Sequence, residues 1–234
     1  MGKGKIHMIP MTLGADNPNW VIPQEVLEKT KTIRVFIVEN IKTTRRFLRS
    51  IDPTFPIDDS QFFELNKRTQ PEELYSFIQP AMEGKDIGVF SEAGCPGVAD
   101  PGSEIVKIAH QKNIQVVPFV GPSSILMGLM ASGFNGQEFS FHGYLPKERK
   151  DRIQKLKAME RNAYNGETQI FMDTPFRNQN VLEDLLENLK ETTKLCIAAN
   201  ITTEKERIET KTIQDWKKNK INLDKIPVMF LLGS

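Results

Sequence analysis

The sequence predicts an α/β fold, and three features carry the prediction. Short apolar runs alternate with amphipathic stretches almost without interruption through the first 120 residues. Glycine- and proline-rich segments separate the runs from the helical patterns that follow. Strand, helix, strand order also requires right-handed crossovers and parallel neighbouring strands. In order, strands are expected over 5–10, 33–38, 62–65, 87–90 and 115–119, and helices over 23–31, 41–51, 71–82 and 101–111. In the last helix Ile105, Ile108 and Ala109 recur at helical spacing up to the charged Lys112.

The most informative stretch runs from Ser91 to Gly102. Gly94, Gly97 and Gly102, with Pro96 and Pro101, force irregular backbone directly after the buried run Ile87-Gly88-Val89-Phe90. Asp100 is expected to be the N-cap of the next helix, with Pro101 at its first position. Such a loop presents free N–H groups at the carboxyl end of a strand, where open α/β sheets bind ligands. Gly121-Pro122-Ser123-Ser124 repeats this pattern, and one of its two serines is expected to cap the helix that follows. That helix, from Ile125 to Ala131, reads as buried nearly all round, with Gly133 as its stop.

Further strands are expected over 139–142, 168–172, 194–199, 206–210 and 227–232, and helices over 149–160, 175–189 and 213–220. Their hairpin-like spacing predicts a mixed sheet. The chain therefore reads as two small α/β domains, 1–120 and 121–234.

Apolar content of 39% against 26% charged residues excludes a disordered polymer. The segment 114–134 is apolar but interrupted by Gln115, Pro118, Gly121, Pro122, Ser123 and Ser124, so a membrane span is not expected. No N-terminal stretch resembles a signal peptide. Cys95 and Cys196 are too far apart to suggest a disulfide framework or a zinc cluster, and His7, His110 and His142 show no ligand spacing. The expected state is a reduced, cytoplasmic protein without a bound metal. A net charge of +1 gives no global attraction to nucleic acid. Two local patches could supply one: Lys42 to Arg49, with four cations and no acid, and 147–157, with six cations against Glu148 and Asp151.

No dinucleotide fingerprint, Walker loop or serine nucleophile elbow is present. What remains is three loops at strand ends: Pro10-Met11-Thr12-Leu13-Gly14, 91–102 and 121–125. They are small, neutral to acidic and free of lysine and arginine. That composition suits a nucleoside-like ligand better than a triphosphate.

These residues resemble the tetrapyrrole methylase family of S-adenosylmethionine-dependent methyltransferases. Within it they are most similar to the enzymes that methylate a cytidine 2′-hydroxyl of 16S ribosomal RNA. The resemblance rests on Ser91 to Gly102, on Val116-Val117-Pro118-Phe119-Val120-Gly121-Pro122-Ser123, on Gly143-Tyr144-Leu145-Pro146 and on Asp173-Thr174-Pro175-Phe176-Arg177. It implies two α/β domains with the cofactor cleft between them, a homodimer, and S-adenosylmethionine as cofactor. Carried over by position, Pro10, Leu13, Gly14, Glu92, Ala93, Gly94, Pro96, Val98, Gly121, Ser123, Ser124, Ile125, Met172, Ile201 and Pro227 would contact the cofactor. Lys42, Arg45, Lys147, Arg149, Lys150 and Arg177 are candidates for ribosomal RNA. Glu39, Glu92 and Asp100 are candidate catalytic acids or bases. Two charged motifs of those RNA enzymes are replaced, by Glu39-Asn40-Ile41-Lys42 and by Ala199-Asn200-Ile201-Thr202-Thr203. Carbon methylation of a corrinoid or porphyrin-like ring, and a cofactor-binding module without turnover, therefore stand as alternatives.

Overall fold

A computed structural model describes residues 2–66, 68–219 and 221–234. The chain divides into two compact units, Met1–Ser123 and Ser124–Ser234.

Unit 1 holds a five-stranded sheet built from β1 (Ile6–Ile9), β2 (Val35–Val38), β3 (Gln61–Glu64), β4 (Ile87–Phe90) and β5 (Val116–Pro118), in the order β3-β2-β4-β1-β5. Every pairing is parallel. The crossovers carry α1 (Gln24–Lys31), α2 (Ile41–Ile51), α3 (Pro71–Phe77), α4 (Gln79–Met82) and α5 (Gly102–Gln111). Strands β1, β2 and β4 are buried on both faces, which explains their unbroken apolar runs. Ile6, Met8, Val35, Ile37, Ile87 and Val89 pack into one layer. Ile9, Phe36, Val38 and Phe90 pack into the other. The single helix expected over 71–82 is two, because Pro80 has no N–H to donate and its ring crowds the carbonyl one turn back.

Buried His7 on β1 faces Asp86, with ring nitrogen and carboxylate 3.0 Å apart, and Lys29 reaches the same carboxylate at 3.2 Å. The other ring nitrogen, Nδ1, is buried without a hydrogen-bond partner among the described residues. Burial outweighs the carboxylate and holds the imidazole below its ordinary value of 6.5. The unfolded chain thus takes up the proton more readily, so this contribution is fully present above about 6.5 and is lost as pH falls from there through the lower folded value. The urea midpoint is expected to drop between pH 7.5 and 5.5, and to drop less in His7→Asn. An equal drop in both proteins would contradict the assignment.

Unit 2 holds a mixed sheet of β6 (Phe139–Tyr144), β7 (Thr168–Met172), β8 (Lys194–Ala199), β9 (Arg207–Thr212) and β10 (Val228–Gly233), in the order β6-β7-β10-β8-β9. Only β6 and β7 run parallel. Helices α6 (Ser124–Ser132), α7 (Arg149–Tyr164), α8 (Asn178–Asn188) and α9 (Ile213–Lys218) complete it. Leu156, Met159, Phe171, Leu185, Trp216 and Phe230 form its core. The Trp216 indole donates to the Leu195 carbonyl at 2.9 Å. The helix expected over 213–220 ends at Lys218, and residue 220 lies outside the described residues.

The reading of α6 is overturned. Helix α6 is not buried all round: Met130 is 83% exposed and Leu126 52%. The reason lies in Gly128, where an added Cβ would sit 3.4 Å from Leu231, 3.6 Å from Met229 and 3.7 Å from Ala198. The helix rests on the sheet along one narrow stripe of Gly128, Leu129 and Ser132, and its other face meets solvent. No helix among the described residues is long and apolar enough to cross a membrane.

Candidate functional site

Three loops leave the carboxyl ends of β1, β4 and β5, which are neighbours in the unit 1 sheet. Met11 and Gly94 tie the first two together: the Met11 N–H donates to the Gly94 carbonyl at 2.9 Å, and the Gly94 N–H returns to Met11 at 3.2 Å. Gly94 has φ +68°, and a Cβ there would meet Leu13 at 3.1 Å and the Pro122 carbonyl at 3.4 Å. The Cys95 thiol donates to that carbonyl at 3.4 Å. Pro10 and Gly121 touch so closely that a Cβ on Gly121 would lie 2.3 Å from the proline ring. Pro10, Leu13, Gly94 and Gly121 thus belong to one assembled cradle, beside Gly14, Ala93, Pro96, Val98 and Ser123 on the same three loops.

Gly121→Val forces β-branched bulk against a rigid ring. Overpacking of this kind costs about 1–3 kcal/mol, and a fall of that size in urea-unfolding stability is expected. Unchanged stability would mean that the loops do not pack this way.

Asp100 departs from its expected role. The N-cap position belongs to Pro101, and α5 starts at Gly102. The Asp100 carboxylate instead accepts from the Gly97 N–H at 2.8 and 2.9 Å and from the Gly102 N–H at 2.7 Å. It therefore clasps the loop to the first turn of the helix, because Gly97 at φ +85° turns its N–H inward.

Glu39, just beyond β2, accepts from the Glu92 N–H at 3.2 Å. Burial, followed by the charge of Asp100, raises the Glu39 carboxyl above the ordinary 4.5, and the Glu92 charge adds to this. Burial also raises Glu92. The three candidate carboxylates therefore lie close together beside the cradle. Burial raises the Cys95 thiol, which removes the thiolate a nucleophile needs.

In unit 2, Met172, Ile201 and Pro227 share one end of the sheet. Met172 ends β7 opposite Met229, and Ala199 ends β8 opposite Val228. The Pro227 carbonyl accepts from the Asn200 N–H at 3.0 Å. Buried Ile201 sits between Asn200 and Thr202, whose φ values of 52° and 71° are left-handed and strained for residues with side chains. Three buried polar atoms at this end have no hydrogen-bond partner among the described residues: Asp173 Oδ2, Asn178 Oδ1 and Thr202 Oγ1. Buried polar atoms are as a rule hydrogen-bonded, so these three stand out at this end of the sheet. Asn178 and Thr202 were not expected as site residues, and their spacing carries no motif that would have marked them. Ser124 and Ile125 open α6.

The basic candidates separate. Lys42 and Arg45 on α2 are exposed, as are Lys147 and Lys150 at the start of α7. Arg149 is tied to Asp184 at 2.7 Å and Glu187 at 2.6 Å. Arg177 is tied to Asp173 at 3.2 Å and to the Pro146 carbonyl at 2.7 Å.

A parallel α/β unit with a glycine-rich cradle at its strand ends, followed by a mixed α/β unit, is the arrangement of a methylase fold. The sequence profile of the tetrapyrrole (corrin/porphyrin) methylases matches residues 22–217, and the chain belongs to that family. Among its relatives is the ribosomal RNA small subunit methyltransferase I of Buchnera aphidicola from Acyrthosiphon pisum, 28% identical over 93% of this chain and 74% of that protein. The protein of the same name from Halalkalibacterium halodurans is 33% identical, over 79% of this chain and 60% of its own length. The Escherichia coli O157:H7 protein of that name is 28% identical, over 86% and 66%. The matched region thus leaves a quarter or more of each relative unmatched. Among solved structures, the methyltransferase CobJ superposes with a TM-score of 0.66 at 17% identity, covering 99% of this chain and 94% of that one. The cobalt precorrin-4 methyltransferase CbiF gives 0.64 at 14%, covering 98% and 94%. At those identities the likeness concerns the fold.

Proposed function

We propose that this chain transfers the methyl group of S-adenosylmethionine to a ribose 2′-hydroxyl of small-subunit ribosomal RNA. The observation that carries the reading is the run of relatives named for small-subunit ribosomal RNA, matched over most of this chain. The cradle supports the cofactor. It offers backbone groups and small side chains, carboxylates beside it, and no lysine or arginine within the three loops. A ligand with a sulfonium and an ammonium group suits that environment, whereas a polyphosphate would be repelled. The reading extends to a homodimer in the cytoplasm, as the family resemblance implies.

Bound there, S-adenosylmethionine supplies an electrophilic methyl on a cationic sulfur. The residues of the chain need mainly to align donor and acceptor and to exclude water. The hydroxyl proton must still leave as the oxygen–carbon bond forms and the carbon–sulfur bond breaks. Glu39 is the best-placed acceptor. Burial and the Asp100 charge raise its carboxyl, which makes it a stronger base than an ordinary glutamate, and only one of its oxygens is engaged by the Glu92 N–H. Asp100 has both oxygens committed to the loop, so it serves as a positioning residue.

The test is transfer of labelled methyl to ribosomal RNA from a strain lacking this gene, followed by nucleoside mass spectrometry. Label in one 2′-O-methyl nucleoside is expected. Label confined to small molecules, or none in RNA, would overturn the reading.

A further inference from the structure

We infer that the outer face of α2 is a phosphate-binding ridge that holds the backbone of the RNA substrate beside the carboxylate cluster. The inference rests on the function proposed above and names the surface that grips the substrate. Lys42, Arg45, Arg46 and Arg49 are spaced i, i+3, i+4 and i+7, which places them on one face of the helix. All four are exposed. The ridge they form is roughly 10 Å long. The opposite face, with Thr44, Phe47 and Leu48, is buried in unit 1.

Three observations separate this ridge from an ordinary solvated helix face. First, no carboxylate among the described residues forms an ion pair with any of the four. Asp52, beyond the helix end, only feels the charge of Arg49. Lys29, Lys31, Lys107, Lys217 and Lys218 on other helices are paired. The cations of α7 are split, with Arg149 and Arg152 paired to Asp184, so among the described residues α2 stands out as the helix whose cations all go without an acid. Second, the charges oppose local stability. The first turn of α2 contains no acid and places Lys42 where the helix dipole disfavours a cation, and Arg45 and Arg46 repel Lys42 and Arg49. A stretch that breaks local charge rules, offset only by the Arg45 stack on Phe62 and the Arg49 bond to the Pro53 carbonyl, is expected at a functional surface. Third, the helix begins two residues after Glu39, so a strand laid along it passes the proposed proton acceptor.

The chemistry points to phosphodiesters. Three of the four cations are guanidinium groups, which match phosphate oxygens in bidentate fashion. A membrane surface fits poorly, since an interfacial helix needs a free apolar face and the apolar face of α2 is already buried. Arg45 also lies over the Phe62 ring, 5.1 Å from its centroid, which fixes its direction.

The test measures binding of fluorescently labelled small-subunit ribosomal RNA to the full chain across a salt series, with anionic phosphatidylserine vesicles as a second probe. Arg46→Gln/Arg49→Gln is expected to weaken RNA binding by on the order of tenfold. It should also flatten the salt dependence by roughly 0.7–0.9 per cation removed. Lys107→Gln on α5 serves as the control and should match the wild type. If the double variant loses thermal stability, Lys42→Gln alone supplies the reading, with a slope change of about one cation. RNA affinity and slope equal to wild type in these variants would overturn the inference, as would a wild-type chain that prefers vesicles to RNA. Wild-type methyl transfer that the variants retain at unchanged KM for RNA would sink the ridge and spare the function. Ridge-dependent RNA binding without any methyl transfer would do the reverse.

Discussion

Glu39→Gln is expected to lower kcat for RNA methylation by about 10²-fold or more while leaving S-adenosylmethionine affinity within a few-fold of wild type. The substitution keeps size and keeps an oxygen able to accept from the Glu92 N–H, so the loop contact at 3.2 Å survives. What disappears is the group that can take the hydroxyl proton. The pH profile separates this role from a structural one. Burial and the neighbouring Asp100 and Glu92 charges raise the Glu39 carboxyl, so wild-type activity should rise with pH along an acid limb placed above the ordinary value of 4.5. The variant should lose that limb. Stability should move the opposite way: a carboxyl with a raised folded pKa opposes folding once ionised, so Glu39→Gln should gain stability as pH climbs past 4.5. A variant with wild-type kcat and an unchanged acid limb would remove Glu39 from the chemistry.

Asp184→Ala should destabilise unit 2 by about 3–5 kcal/mol. Asp184 is buried on α8 and accepts from Arg149 and from Arg152, both at 2.7 Å. Arg152 is itself buried on α7, and its remaining bonds go to the carbonyls of Pro146 and Lys147. Without the carboxylate, a guanidinium is left desolvated and uncompensated. Replacing both partners with apolar residues of similar volume, as in Arg152→Met/Asp184→Leu, should recover most of the loss. Urea unfolding of the two variants decides the matter. If the single variant loses less than about 1 kcal/mol, a figure typical of an exposed pair, the pair is not buried as described.

The Arg152–Asp184 pair also shows where sequence reading reached its limit. The cations between 147 and 157 read as a substrate patch, yet Arg149 and Arg152 turn toward an acid more than thirty positions away on another helix. Local spacing carries no information about such a partner. The parallel half was legible because β1, β2 and β4 are covered on both faces, which leaves unbroken apolar runs in the sequence. The loops were legible for a related reason: Gly94, Gly97 and Gly121 occupy positions where positive φ or close backbone approach excludes a side chain. Helix α6 misled because Ile125 to Ala131 carries no polar stripe, so its composition cannot say that the sheet covers only one edge. The unpartnered atoms of Asp173, Asn178 and Thr202 were invisible for want of any local pattern. They arise where strand ends meet, and the identities of those residues are ordinary for turns and helix starts.

The central claim is that three strand-end loops of unit 1 form the cradle for S-adenosylmethionine. Calorimetric titration of the folded chain with that compound tests it most directly. Saturable binding of one molecule per chain, abolished or strongly weakened by Gly121→Val in protein that still unfolds cooperatively, is the expected result. No heat at millimolar ligand, or binding that Gly121→Val leaves untouched, would contradict it.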